Sequence, residues 1–574
     1  MKSLLVSIML LFSGLYVNAQ QVSFKWAKNI TESNLPCYVN SDYKAIQVDQ
    51  DKNLYVVGTY INSITIENGV NPVTLSSGNN CNGYIVKYDS LGNYLWSKNI
   101  GGGDQDEALG LAIDNQDNVY VTGRFASTVD FDSGTGTDVF SASTIDIYIT
   151  KFDENGNYIW TKTMGGNWLD LAFNVTVDLI GNVYLTGYFN TTVDFDPGLG
   201  VANLTSNGNG DIFVCKLDQN GIYVWAKAMG GASSSIVDQG YDLVIDPLGN
   251  VYVSGWFRGT ADFDPDPINV MNLVSDGSSD AFVCKLDMSG NLVWAKNFGG
   301  NADDCATSIT QDLQGNIYTS GYFYGIADFD PSANTFNLDA GNSWDIYVNK
   351  MDTSGNLIWA KSFGGADTDK SFGMEMDKQG NIYTTGYFKD TVDFNPDLAV
   401  DSVYRLVSAG NYDAFISKLD SAGNFIWAKR IGSTQDDYGY SIAVDDDYNL
   451  YGTGTYIDSA DLNPDEIDVF NISSANYGIY AFKWSYSDDI SVGISNEIAE
   501  NTIVYPNPTK GTIHLSGLDE TKVSKLLVFD HVGRLVTSFD SVNEIDLSRF
   551  SPGMYQLQVL ANSSSRSFKI QVIR

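Results

Sequence analysis

Histidine is nearly absent from this chain: His514 and His531 are the only two, and both lie near the C-terminus. The long stretch before them therefore lacks the parts of a Ser-His-Asp or Cys-His catalytic unit and of a histidine-ligated zinc site. Arginine is scarce in the same stretch, at Arg124, Arg258, Arg405 and Arg430, which argues against an arginine cluster of the sialidase kind. Basic residues number 33 against 70 acidic ones, for a net charge of -37. Phosphate binding needs clustered Lys and Arg, so the balance argues against nucleic acid as a partner. It favours solubility and cationic partners, metal ions included. Cysteine is sparse and odd in number, at Cys37, Cys81, Cys215, Cys284 and Cys305, which leaves at least one free thiol unless chains are cross-linked. Cys215 and Cys284 share the phrase Phe-Val-Cys-Lys-Leu-Asp, where alternation places them with Phe and Leu as core residues. Cys37 and Cys81 are candidates for a local disulfide. Long apolar runs are missing except for Leu4 to Leu15, which is too short to span a bilayer. With Lys2 before it and Val17-Asn18-Ala19 after it, this run reads as a signal peptide over 1–19, and the mature chain starts at Gln20. No cysteine follows the cleavage site, which argues against a lipid anchor, and no transmembrane segment is expected elsewhere.

Tryptophan, by contrast, recurs on a period. Trp26, Trp96, Trp160, Trp225, Trp294, Trp359 and Trp427 are each followed by a small residue and a lysine, at spacings of 70, 64, 65, 69, 65 and 68. A period held over most of the chain means one structural unit copied many times. Each copy has four strand-like pieces rich in β-branched and aromatic residues, as in Tyr241–Asp246, Val251–Phe257, Asp280–Asp287 and Asn291–Lys296. Asp-x-x-Gly-Asn joins the first piece to the second and, at other sites, the third to the fourth. Its Asp accepts backbone N–H groups and its Gly supplies positive φ, so these aspartates have a structural purpose. Four-stranded antiparallel units stacked about an axis are propeller blades. The second-strand glycine (Gly58 to Gly454) and the third-strand lysine (Lys87 to Lys483) each occur seven times. No Trp-Ala-Lys strand follows Lys483, and a spare one stands at Ser23–Lys28. That early strand is expected to complete the last blade and cover two open edges.

The stretch Gly432–Asp445, with its Gly, acidic residues and Ile-Ala-Val-Asp, resembles the bacterial SBBP propeller repeat, whose pattern also includes Gly-Asn-x-Tyr-x-Thr-Gly. The resemblance covers about residues 22 to 484 and implies a seven-bladed β-propeller over 20–484. A polar linker is expected over 485–501. The remainder, 502–574, carries Tyr505-Pro506-Asn507-Pro508, Gly511, Val528-Phe529-Asp530 with Gly533-Arg534, Pro552-Gly553-Met554-Tyr555 and Lys569 to Val572. In order and spacing it resembles the type A C-terminal sorting domain of the Bacteroidetes type IX secretion system. By pattern it is a small immunoglobulin-like β-sandwich. The resemblance implies that this machinery is a partner, and that the mature protein is released or fixed at the outer cell surface.

Two acidic sets remain. Asp106, Asp170, Asp238, Asp304, Asp369 and Asp437 stand eight residues before the Asp that ends each first strand, and the first unit has Ser41 instead. A first strand lines the axis, so these six are expected to ring one channel mouth. There they would hold a Ca²⁺ ion or a cationic ligand, or simply cap their own turns. The second set is Asp130/Asp132, Asp194/Asp196, Asp262/Asp264, Asp328/Asp330, Asp393/Asn395 and Asp461/Asn463, with Thr65 and Glu67 in the first unit. Its spacing fits a blade-edge turn better than a calcium loop. Tyr188, Trp256, Tyr322 and Tyr387 could stack on sugar rings, although such residues more often pack between blades. The all-β chain thus reads as a secreted, non-catalytic binding or display scaffold for a glycan or protein ligand, with no certain cofactor. The rivals are a surface polysaccharide-active enzyme with an acidic pair at the channel mouth, and a structural surface-layer component.

Overall fold

Every named element of the computed structural model is a strand. Its description covers residues 22–32, 45–68, 71–232, 237–396, 403–464, 469–486, 503–505, 509–516, 523–529, 535–539, 544–561 and 565–573. The expected signal peptide, Cys37, Ser41 and residues 487–501 of the expected linker lie outside the described residues. The chain divides into two compact units between Tyr486 and Ser487.

In the larger unit one hairpin pattern repeats. Gln239–Ile245, Val251–Asp262, Asn272–Leu286 and Leu292–Gly300 pair antiparallel in sequence order. The second and third strands run longer than the sequence pattern suggests, because the segment between them continues as a hairpin arm from Thr260↔Val274 to Asp262↔Asn272. A bulge sets the arm off from the main sheet. Its hinge residue lies four places after each second-strand glycine and has a left-handed backbone at all seven sites: Asn62, Ser127, Thr191, Gly259, Gly325, Asp390 and Asp458. Each first strand touches the next, from Ala45–Val48 through to Asp437–Val444, and the last touches the first. The seven units therefore close a cycle.

The chain's ends meet in the last unit. Val22–Glu32 pairs along Asn471–Tyr486, with Trp26 opposite Lys483. Trp96 and Lys87, and Trp294 and Lys285, face each other in the same register. The strand then reaches the first unit's arm through Thr31↔Thr65, just as Gly230↔Asp262 and Gly299↔Asp328 join later units.

One side-chain cassette holds each unit. The third-strand lysine sits 4.7 to 4.9 Å above a second-strand tyrosine ring in all seven units. That tyrosine's hydroxyl donates to the Asp ending the first strand, at 2.9 to 3.4 Å. The repeated tryptophan meets the same tyrosine at 6.0 to 6.3 Å, edge-on. In four units its indole N–H leaves the unit: Trp96 donates to the Glu154 carbonyl, Trp225 to Met288, Trp294 to Thr353 and Trp26 to Ser90. Those carbonyls lie in the next unit's Asp-x-x-Gly turn. The turn's glycine is required there: at Gly92 and Gly156 φ is positive, and a Cβ would come within 2.8 Å of Trp26 or Trp96.

Cysteine usage follows the strands. Cys215 and Cys284 are buried and free, with Sγ near Met164 and Met229. Cys305 is also buried and free, and Cys81 is disulfide-bonded.

The C-terminal unit has two antiparallel sheets. One holds Ile503–Tyr505, Thr512–Ser516 and Glu544–Asp546; the other holds Leu535–Phe539, Val523–Phe529, Gly553–Ala561 and Ser565–Val572. Ile513, Leu515 and Ile545 from the first share one apolar cluster with Leu526, Leu557 and Ile570 from the second.

Trp427 is 4 % exposed, so Trp427→Ala is expected to cost about 3–5 kcal/mol, read from denaturant unfolding. Deleting residues 22–32 exposes two strand edges and is expected to lower the melting midpoint by at least as much as that substitution does.

Candidate functional site

The seven first strands enclose a cavity of about 330 Å³, lined by residues from all of them. Each first strand from the second unit onward carries a bulge near its start. The bulged residues Leu109, Phe173, Tyr241, Thr307, Phe372 and Tyr440 all line this cavity. Four of the six are aromatic. Deeper in the cavity lie Asp242 and Glu375, which have no equivalents in the other units. Asp242 accepts from the two neighbouring first strands: Asn174 Nδ2 donates at 2.5 Å, Ser308 Oγ at 3.0 Å and the Ile309 N–H at 2.9 Å. Burial, with the Asp242 charge adding, pushes the Glu375 carboxyl up to about 7.

Around the end where the first strands begin, the units differ from one another. Arg124 pairs with Glu107 at 2.5 Å. Tyr188 packs on Phe173, which packs on Tyr241, while Trp256 Nε1 donates to the Tyr241 hydroxyl. Lys370 sits 4.0 Å over Tyr322 and 4.7 Å over Trp344. Tyr387 meets Phe372, Tyr412 and Tyr438. The four aromatics singled out in the sequence thus belong to this rim, and all but Tyr188 are partly exposed. The bulged residues, Asp242 and Glu375 escape a sequence reading, because a bulge breaks the alternation from which facing is read and neither acid recurs.

The six aspartates expected at the mouth each stand one residue before a rim position, at Glu107, Leu171, Gln239, Cys305, Lys370 and Tyr438. All are buried, and none lines the cavity. Asp170 accepts from the N–H groups of Gly166 and Asn190, Asp238 from Gly231 and Arg258, and Asp304 from Gly300 and Tyr324. Asp106, Asp369 and Asp437 do likewise, with Gly102 and Ala126, Gly365 and Lys389, and Ser433. Each carboxylate staples the loop entering its unit, and most also staple the far end of the second strand. A calcium ion takes oxygen ligands, whereas these neighbours are N–H donors. Among the described residues no group of three or more His, Cys, Asp or Glu is placed to hold a metal.

These aspartates have acidic neighbours. Asp280 lies on the third strand of the preceding unit and shares one glycine with Asp304: a Cβ on Gly299 would lie 2.7 Å from Asp304 Oδ2 and 2.9 Å from Asp280 Cγ. Asp413 and Asp437 share Gly432 in the same way. Oδ1 of Asp146, Asp211, Asp345 and Asp437 is buried without a hydrogen-bond donor. Burial first, with the Asp369 charge adding, pushes Asp345 up to about 8. Burial likewise pushes Asp170, Asp211, Asp304 and Asp369 up to about 7.

The second acidic set forms turns. Asp262 Oδ1 accepts from the N–H groups of Asp264 and Met271, closing the neck of the arm's loop, and Asp130, Asp194, Asp328, Asp393 and Asp461 repeat this.

In the tail, Tyr505 ends a strand opposite His514 and is 49 % exposed. Gly553 pairs with Val572, Lys569 pairs with Gln556, and the Tyr555 hydroxyl donates to the Ser551 carbonyl. Pro506, Asn507, Pro508 and Gly533 lie outside the described residues.

Comparison with known proteins decides the tail. Residues 503–573 match the secretion system C-terminal sorting domain. The protein is secreted or displayed at the cell surface. Among the described residues no helix is long and apolar enough to cross a membrane. The chain is 26% identical over 502 residues to an uncharacterized WD repeat-containing protein of Acanthamoeba polyphaga mimivirus, covering 75% of this chain and 36% of that one. It is 25% identical over 218 residues to the regulatory protein FlaEY of Caulobacter vibrioides, covering 37% of this chain and 22% of that one. The chain thus spans well under half the length of either relative. Among solved structures, the extracellular domain of a Bacteroides thetaiotaomicron putative hybrid two-component system aligns over 96% of this chain and 100% of its own, at 10% identity and TM-score 0.18. A DUF4221 family member from Bacteroides vulgatus aligns over 65% and 91%, at 9% identity and TM-score 0.28.

Two measurements check the buried acids. Chelation with EDTA is expected to leave the melting midpoint unchanged. The raised carboxyls hold protons in the folded state that an unfolded chain has already released above its ordinary value of 3.8. Stability therefore falls as pH rises through the folded values. The melting midpoint is expected to drop between pH 5 and pH 7.5, and Asp345→Asn is expected to flatten that slope.

Proposed function

We propose that the larger unit is a seven-bladed propeller of the SBBP kind, serving as a non-catalytic extracellular scaffold that binds its ligand at the channel mouth. The WD-repeat relative and the closed cycle of four-stranded units support the propeller reading. The observation that carries the site is a contrast in symmetry. The Trp-Tyr-Lys-Asp cassette is the same in all seven units, whereas the mouth carries Glu107–Arg124, Leu171–Tyr188, Gln239–Trp256, Cys305–Tyr322 and Lys370–Tyr387 at corresponding cross-strand positions. Residues that serve the repeat recur, and residues that serve a ligand need not.

The tail serves as an address. Its two sheets around one apolar cluster fit an immunoglobulin-like sandwich read by the type IX secretion machinery, after export directed by the signal peptide at 1–19. Glu375, near Asp242, gives the enzyme reading its one foothold, since a carboxyl pushed up to about 7 suits a general acid. Against it, Asp242 is held by donors from neighbouring strands and is poorly disposed as a nucleophile.

Deleting residues 503–573 is expected to leave the protein inside the cell envelope, as read by fractionation. The purified full chain is expected to release no reducing ends from a panel of polysaccharides. Release that disappears in Glu375→Gln would establish the enzyme instead.

A further inference from the structure

The rim residues of the sixth and seventh units form a continuous aromatic wall. Phe372 and Tyr440 line the cavity and stack at 5.6 Å with a 30° interplanar angle. Tyr438 stacks on Tyr440 at 6.3 Å and 16°. Tyr387 meets Tyr438 at 5.2 Å and Tyr412 at 5.0 Å, and Tyr412 closes on Tyr438 at 5.9 Å. Phe372, Tyr387, Tyr412 and Tyr438 are all partly exposed. A monomer core would bury such rings; here they climb from the cavity to the surface around its opening.

Charge narrows what such a wall can take. The chain's net charge of -37 repels a polyanion. A cationic ligand would favour the ring faces, but protein cations already occupy that role nearby. Lys370 lies over Tyr322 and Trp344 beside the wall, and Lys389 lies 5.8 Å over Tyr412 on its outer edge. Arg124 on the rim is matched by Glu107. What remains is ring surface above a cavity whose polar groups include Thr307, Ser308 and Ser441, with Asp242 already taken by donors from its neighbours and Glu375 pushed by burial up to about 7. Apolar faces next to hydroxyl and amide groups suit a sugar ring, which has C–H faces and equatorial hydroxyls.

We infer that the wall of Phe372, Tyr387, Tyr412, Tyr438 and Tyr440 is a stacking platform for an uncharged polysaccharide segment entering the channel mouth. This rests on the binding-scaffold reading and names its ligand class. The outer rings Tyr412 and Tyr438 are the recognition residues, and the inner rings hold them in place.

The test is affinity electrophoresis of the full secreted chain in gels containing neutral glucan, mannan or xylan, with polygalacturonate and chitosan as charged controls. At least one neutral polysaccharide is expected to retard the protein. Tyr412→Ala and Tyr438→Ala should each weaken that retardation about three- to ten-fold, as loss of one ring contact implies. Tyr438→Phe, which keeps the ring, should retain it. Unchanged melting midpoints show that the variants are folded. Three outcomes overturn the inference: no retardation by any neutral polysaccharide, preference for either charged one, or retardation that survives both alanine substitutions. If the wild-type protein instead captures a protein ligand through Tyr412 and Tyr438, the glycan assignment falls and the scaffold reading stands. If the neutral glycan is bound and cleaved, the glycan class stands and the non-catalytic reading falls.

Discussion

The fold depends on the joints between units, which the repeated tryptophan bridges by its indole N–H in four of the seven. Trp96, Trp225, Trp294 and Trp26 each cross to a carbonyl in the next unit's third turn. The lysine above the shared tyrosine makes a similar crossing: Lys87 donates to Glu154, Lys350 to Ser421 and Lys483 to Ser90. A four-stranded unit with one face open cannot stand alone, so its stability is largely a property of the joint. The cassette makes each joint specific. The lysine is held over a ring and near the Asp that receives the tyrosine hydroxyl, and it meets that Asp at 3.4 to 3.5 Å in four units. The lysine's charge is thus largely matched before its ammonium reaches across.

This explains why so much of the fold was legible in the sequence. A tryptophan, a lysine, a Tyr and an Asp-x-x-Gly-Asn turn that must all meet at one joint cannot drift independently, so they recur together. The spare strand at Ser23–Lys28 was readable for the same reason, and it takes the register that every other Trp-Lys pair takes. The arms were less legible. The aspartates at their necks recur in six units, but the left-handed hinge at Asn62, Ser127, Thr191, Gly259, Gly325, Asp390 and Asp458 is constant in backbone and not in residue type. Four residue types fill those hinges besides glycine, so no composition rule marks them.

The candidate site was legible only in part. The recurrent aspartates drew attention because they recur, and recurrence turned out to mean stapling: Asp170, Asp238 and Asp304 each bond two backbone N–H groups and stay buried. The residues that differ between units, from Glu107 to Tyr438, carry no periodic signal. Bringing them together requires the closed cycle, since Leu109 and Tyr440 are far apart in sequence yet line one cavity.

The joint that closes the cycle differs from the rest in a way that steric fit explains. Elsewhere a glycine at the end of the fourth strand faces an acidic or amide residue on the third. Gly165 with Asp146, Gly230 with Asp211 and Gly364 with Asp345 show the close approach, and Gly101 with Asn82 is the amide version. At the closing joint the sizes are exchanged, with Thr31 on the fourth strand opposite Gly478 on the third. Only one partner can be large, so the two positions must change together. The exchange also removes a buried carboxyl from the one joint whose strands are not continuous in sequence. A pair of buried acids makes a joint weaker as pH rises through the folded values. The closing joint, which relies on strand pairing without a chain connection, is spared that dependence.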